Sequence, residues 1–247
     1  MIRYGFIVLV CLVACTREMD GADEIYAEEN AERVLCGLGV DGEAISLDEI
    51  EHAMVRARER NEVLILFAHH PGVTISYERV DSILGIADRV ALPYVTFPEI
   101  ETQRGRAGLS LGFDDAFVDA WFGLRDMLRA RSARVTFYVS NFGELDASQR
   151  TELHMLEGDG HAIEAHGMGH RDAAEYVDTY GLSKYLADEI DPMLDAMAAE
   201  GFYPTTFAYP YGDRTTEIDR ALLERFALLR SLSYLDRSVT NTAPCPR

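Results

Sequence analysis

The run Val63-Leu64-Ile65-Leu66-Phe67 most limits what this chain can become, because five large apolar residues in succession leave no polar side for solvent. Such a run is a strand covered on both faces, as in a parallel sheet under helices. It stops at Ala68-His69-His70-Pro71-Gly72, two imidazoles followed by a turn. Before it, Ser46-Leu47-Asp48-Glu49 has the Ser-x-x-Glu form of a capping box and opens a helix to about Arg60, with Ile50, Met54 and Ala57 on one face. The alternation continues along the chain. Further strands are predicted over 33–37, 94–97, 109–115, 134–139, 161–165, 206–209 and 227–232, and further helices over 76–89, 116–131, 148–157, 183–200 and 217–225. Seven or so βα units with buried strands make either a closed barrel or a doubly wound sheet. A chain of 247 residues, 48% hydrophobic, has enough apolar side chains for one such domain, placed at 33–247.

The polar clusters fall where that architecture builds sites. Leu109, Leu111 and Phe113 alternate with small residues and stop at Asp114-Asp115. His69-His70, His166-x-x-x-His170 and Tyr209-Pro210-Tyr211-Gly212 likewise lie at or just after strand ends, and the carboxyl ends of parallel strands are where clefts form. Side chains alternate faces along a strand, so neighbouring aspartates share a cleft only where the strand is ending. Taken alone, either Asp114 or Asp115 could instead cap the helix that follows. His166 and His170, four apart, present their rings to one side of a helical turn and can grip one ion, with Asp115 supplying an oxygen. That His-His-Asp set with open positions suits zinc or a neighbouring divalent metal. Gly167 and Gly169 favour a loop over a helix there, with its backbone close to a ligand.

In order and approximate spacing, Gly-Phe-Asp114-Asp115, then His166-Gly-Met-Gly-His170, then Tyr209-Pro-Tyr-Gly212 resemble motifs one to three of the NodB-homology polysaccharide deacetylases, carbohydrate esterase family 4. The resemblance implies an α/β fold, a distorted (β/α)7-type barrel. It implies Asp114 as catalytic base, Asp115, His166 and His170 as metal ligands, Tyr209, Pro210 and Tyr211 against the substrate, and the Tyr211 backbone N–H at the oxyanion. The implied cofactor is a divalent metal, zinc first and cobalt or nickel as alternatives. The family's general acid, a histidine after a late strand, has no match beyond Tyr211. Val63 to His69 supplies one ahead of motif one, with His69 preferred over His70, which precedes Pro71 and turns away. The chain therefore resembles a circularly permuted form of the NodB-like barrel. The family's motif-three arginine falls at Ala208, for which Arg230 is the candidate substitute, and its motif-four tryptophan is missing, Trp121 being read as a core residue. The implied activity is de-N-acetylation of N-acetylhexosamine units in an envelope polysaccharide or exopolysaccharide. O-deacetylation of a xylan-type glycan and non-catalytic carbohydrate binding remain as alternatives.

Residues 1–14 carry Arg3 and then an apolar run too short to span a bilayer, the layout of a secretory signal. Leu12-Val13-Ala14-Cys15 resembles a lipobox, which implies lipid attachment at Cys15, a membrane anchor, and, with Thr16 following, a periplasmic or outer-membrane location. The acidic stretch 15–32 is expected to be a tether. With Cys11 removed and Cys15 lipidated, Cys36 and Cys245 remain as an even pair and are expected to form a disulfide. A net charge of −19 disfavours nucleic acid as a partner.

Overall fold

The computed structural model describes residues 23–29, 32–233 and Cys245. The leader, the lipobox with Cys15 and most of the expected tether lie outside the described residues. The apolar run becomes β3 (Val63–Ala68), buried at every position. It lies beside β2 (Val34–Gly39) and β4 (Gly108–Asp115), and β5 (Thr136–Val139), β6 (Ala162–Ala165), β7 (Thr206–Ala208) and β8 (Leu228–Ser233) follow around the ring until β8 pairs with β2. All seven pairings are parallel, so these strands form a closed α/β barrel.

The barrel is distorted where β2 meets β3. β2 and β3 match only at Leu38 with Leu66 and Gly39 with Phe67, and below that they part. The two-residue strand β1 (Tyr26–Ala27) fills the opening, antiparallel to β3, with Ile25, Tyr26 and Ala27 buried and Arg56 laid 3.8 Å above the Tyr26 ring. Asp23–Ala27 is therefore part of the folded body and not of a tether. The acidic composition of the stretch conceals an apolar Ile-Tyr-Ala core that the gap in the barrel buries.

Two layers of apolar packing follow from strand alternation. Outward-facing residues such as Leu64, Leu66, Leu109, Leu111 and Phe137 meet the helices Leu47–Arg60, Tyr77–Arg89 and Ala147–Gly158. Inward-facing Leu35, Val63, Ile65, Tyr138 and Leu228 fill the barrel with Phe97 and Ile100. Those last two explain why the predicted strand at 94–97 is absent. Only Tyr94 bridges to Leu109, and the chain then turns through the 3-10 helix Phe97–Glu99, capped by Thr96 and Glu99. Pro98 cannot donate to a ladder, and Phe97 gains more as part of the barrel's plug.

Two helices predicted as continuous are broken. The first divides at Gly123 into Val118–Phe122 and Arg125–Ala130. The second runs as Leu182–Tyr185, a π-helical segment Leu186–Ile190, and Asp191–Ala199. Pro192 has no N–H to offer and its ring crowds the carbonyl four residues back, so the helix widens just before it. A helix at Ala173–Tyr180, capped by Asp172 and ended by Gly181 (φ 87°), was not anticipated. Among the described residues no helix is long and apolar enough to cross a membrane. Cys36 and Cys245 form a disulfide pair with Cα atoms 6.0 Å apart.

Candidate active site

Asp115 ends β4 with φ at 85°, which takes it out of the strand's alternation so that it and Asp114 both face the mouth of the barrel. Its Oδ1 lies 3.0 Å from His170 Nε2 and 3.7 Å from His166 Nε2. One ligand atom from each of the three lies within 4.8 Å of the others. Burial alone would push the Asp115 carboxyl up, but hydrogen bonds to both imidazoles hold it well below the usual carboxylate range. His166 is buried, and its Nδ1 is tied to the Ala208 carbonyl at 2.8 Å, which turns Nε2 toward the cleft. Two imidazole nitrogens and one ionised carboxylate oxygen, converging with open directions, fit a divalent cation of the zinc type.

The two histidines do not share a helical turn. They bracket a loop with left-handed backbone at Gly167 (φ 85°) and His170 (φ 53°). Glu189, delivered by the π-helical segment, sets its course by accepting from the Gly169 N–H at 2.9 Å and the Arg171 N–H at 3.4 Å, while its own carbonyl accepts from the Met168 N–H at 3.0 Å. A Cβ on Gly169 would stand 2.8 Å from Glu189 Oε1, so the glycine is there to admit a carboxylate of the protein itself.

Asp114 points into the barrel, where Arg230 Nη2 donates to its Oδ2 at 2.5 Å, and its Oδ1 is buried with no hydrogen-bond partner among the described residues. The Arg230 guanidinium lies 4.4 Å from the Phe67 ring centroid and 4.9 Å from that of Tyr138. Gly37 and Gly39 leave the room: a Cβ on either would press on the Phe67 ring at 3.1 or 3.2 Å. Arg230 is the register partner of Ala208 on the neighbouring strand, so the guanidinium reaches the cleft from one strand over.

His69 follows β3. Its Nδ1 meets Asp41 Oδ2 at 2.5 Å and its N–H donates to Asp41 Oδ1 at 3.2 Å, which directs Nε2 toward the cleft. Burial would lower the His69 pKa, but the hydrogen bond to Asp41 and the charges of Asp114, Asp41 and Asp115 raise it above the ordinary value. Thr74 donates to Asp41 at 2.6 Å, and Trp121, a core residue, donates from Nε1 to the His69 carbonyl at 3.1 Å. His70 turns aside and stacks on Phe117 at 4.1 Å.

The Tyr209-Pro210-Tyr211 turn divides in its roles. Tyr209 and Pro210 are buried; the Tyr209 hydroxyl donates to Asp219, which also holds Arg214, so its side chain does not line the cleft as expected, while Pro210 packs beside Gly167 of the histidine loop. The cause is Tyr209's position: it continues β7 and packs edge-on to Phe207. Tyr211, at φ 60°, carries an exposed ring edge-on to His170 at 4.8 Å. Gly212 is required here, since a Cβ would fall 2.4 Å from Leu232.

Asp41 and Glu189 were missed from sequence. Asp41 had a legible signal, a carboxylate just past the end of a strand, as at Asp114. Glu189 had none, because its inward turn depends on the widened helix.

The family model for polysaccharide deacetylase matches residues 102–226. No curated protein matches the chain. Among solved structures, the Streptococcus pyogenes deacetylase PplD in complex with acetate is 13% identical and superimposes with a TM-score of 0.53 over 74% of this chain and 97% of its own. A de-N-acetylase from Aggregatibacter actinomycetemcomitans, also 13% identical, gives 0.55 over 68% and 86%. These two likenesses show a common fold.

Replacing Glu189 tests how the triad is held. Glu189→Ala should weaken zinc binding, measured by calorimetry, by about 10- to 100-fold with the far-UV circular dichroism unchanged, and Glu189→Gln, which keeps an acceptor, should recover most of it.

Proposed function

Since the chain belongs to the polysaccharide deacetylase family, we propose that it is a metal-dependent hydrolase removing N-acetyl groups from N-acetylhexosamine units of an envelope polysaccharide or exopolysaccharide. One observation carries this: Asp115, His166 and His170 converge within 4.8 Å, flanked by an aspartate tied to Arg230 and a histidine tied to Asp41.

A divalent cation bound to the triad would polarise the acetyl carbonyl and render a water nucleophilic. Asp114 Oδ1 takes the proton of the attacking water, while Arg230 keeps the other oxygen fixed. The new C–O bond forms, and the C–N bond breaks as His69 Nε2 delivers a proton to the nitrogen, giving acetate and a free amine. An amide nitrogen cannot leave unprotonated, so an imidazole kept charged by Asp41 suits an N-acetyl substrate better than an O-acetyl one. Tyr211 borders His170 at the place where the oxyanion would form.

We infer also that the chain is circularly permuted. Asp41 and His69 follow β2 and β3, which stand between β8 and β4 in the ring but precede β4 in sequence. The family model begins at residue 102, and Cys245 pairs with Cys36 near the start of β2, which supports the same inference. The lipobox-like leader supports export and anchoring through Cys15, in a compartment where a disulfide persists.

Zinc- or cobalt-loaded protein should release acetate from chitin oligomers faster than from acetylated xylan, and Asp114→Asn should release none; equal silence of the parent on both would remove the assignment. The rate should fall as pH rises through the His69 pKa, above the usual value near 6.5, and Asp41→Asn should move that limb to lower pH. A rearranged chain with residue 247 joined through a linker to residue 23 and opened after Gly105 should keep its circular dichroism spectrum and activity; loss of folding in every linker length would count against permutation. Labelled palmitate should mark the parent expressed in a bacterial host but not Cys15→Ser, and an unlabelled parent would exclude the anchor.

A further inference from the structure

A groove of about 600 Å³, lined by Arg171, Asp172, Tyr176, Thr179, Tyr180 and Lys184, begins at the residue that directly follows the triad's His170. Its volume falls within the ~300–1,000 Å³ of ordinary ligand sites. No step of the hydrolysis above uses any of these residues. Resting on the deacetylase assignment, we propose that this groove is a subsite for a second, unreacting sugar of the same polymer, and that it makes the chain selective for long substrates.

Three observations converge. The first is continuity: the groove begins at the residue after His170, so a polymer with one acetamido group at the triad has this surface next in its path. The second is an aromatic platform. Tyr180 is 58% exposed and leans on Tyr176 with ring centroids 4.8 Å apart. Tyr176 is itself anchored, because its hydroxyl donates to Asp188, which Lys184 holds from the other side at 2.6 Å. An exposed ring face on a fixed support takes the C–H face of a pyranose. The third is charge. Arg171 and Lys184 are balanced by Asp172 and Glu175 in the same lining, within a molecule of net charge −19. A lining rich in donors and acceptors but without net charge fits hydroxyls and acetamides, and favours neither a polyanion nor a polycation. The Arg171 side chain, part of the same lining, is 62% exposed with its Nε 3.8 Å from Glu189 Oε1.

The helix that forms one wall, Ala173–Tyr180, begins at Asp172, two residues beyond His170. Glu189 fixes the intervening loop through the Gly169 and Arg171 N–H groups. The platform and the triad are thus held at a constant spacing, as a subsite requires.

The test uses zinc-loaded full-length chain with N-acetylglucosamine itself and its oligomers of increasing length. For the parent, kcat/KM should rise with oligomer length; Tyr180→Ala should abolish the rise, losing about tenfold on long oligomers while matching the parent on the shortest. Tyr180 is exposed, so its removal leaves the core intact. Equal kcat/KM for parent and variant at every length, or the same fractional loss on short and long substrates, would overturn the subsite and leave the deacetylase assignment standing. If the parent releases no acetate from any oligomer, that assignment fails for this sugar, and the groove is then judged by binding. With Asp114→Asn, long oligomers should shift the NMR resonances of Tyr176 and Tyr180, an effect absent in the double variant with Tyr180→Ala; no shift with any oligomer would overturn the subsite.

Discussion

The centre of this molecule is a charge placed where charges are costly. Arg230 lies inside the barrel, shielded from solvent, with Asp114 as its counter-ion and two of its nitrogens without hydrogen-bond partners among the described residues. A buried ion pair is tolerable only when geometry and surroundings offset desolvation, and leaving one partner alone costs about 3–5 kcal/mol. The surroundings here are the faces of Phe67 and Tyr138. Phe67 takes its place only because Gly37 and Gly39 carry no side chain. Six positions on the five strands β2, β3, β4, β5 and β8 must therefore agree before Asp114 can hold its place at the mouth.

Around that pair the site is assembled from strand ends that break regular geometry. Asp115, His170 and Tyr211 each adopt left-handed backbone, which non-glycine residues avoid unless the surroundings impose it. The imposing contacts are specific: Ser140 donates its N–H to the Asp115 carbonyl at 2.7 Å, Glu189 holds the loop ending at His170, and Ser231 donates to the Gly212 carbonyl at 2.7 Å. The barrel's regular part supplies stiffness, and short irregular turns spend it on aim.

Much of this was legible in the residues. Continuous apolar runs gave away the parallel strands, and the polar clusters at their ends marked the mouth, so Asp114, Asp115, His166, His170 and His69 could be picked out before any coordinates. Less could be read where position depends on a neighbour across space. Tyr209 looked like part of a cleft-lining turn, yet packing against Phe207 and the bond to Asp219 take it inward. The strand expected at 94–97 became a plug because the barrel's amino-terminal end needed filling. The arginine near Asp114 could only be guessed, since Arg230 and Ala208 are lateral neighbours on β8 and β7 and no linear pattern records that two strands can exchange a side chain.

The widened turn before Pro192 has a mechanical side. A π turn accommodates one residue more than an α turn, so the segment turns Glu189 inward beside the buried Ile190. Deleting a single residue between 186 and 190 would restore ordinary winding and swing everything preceding it by about 100°. The composition of that segment is free to drift on its outer face, but its length is not: a one-residue indel there would reach the metal-binding loop without touching any of the residues that make it up.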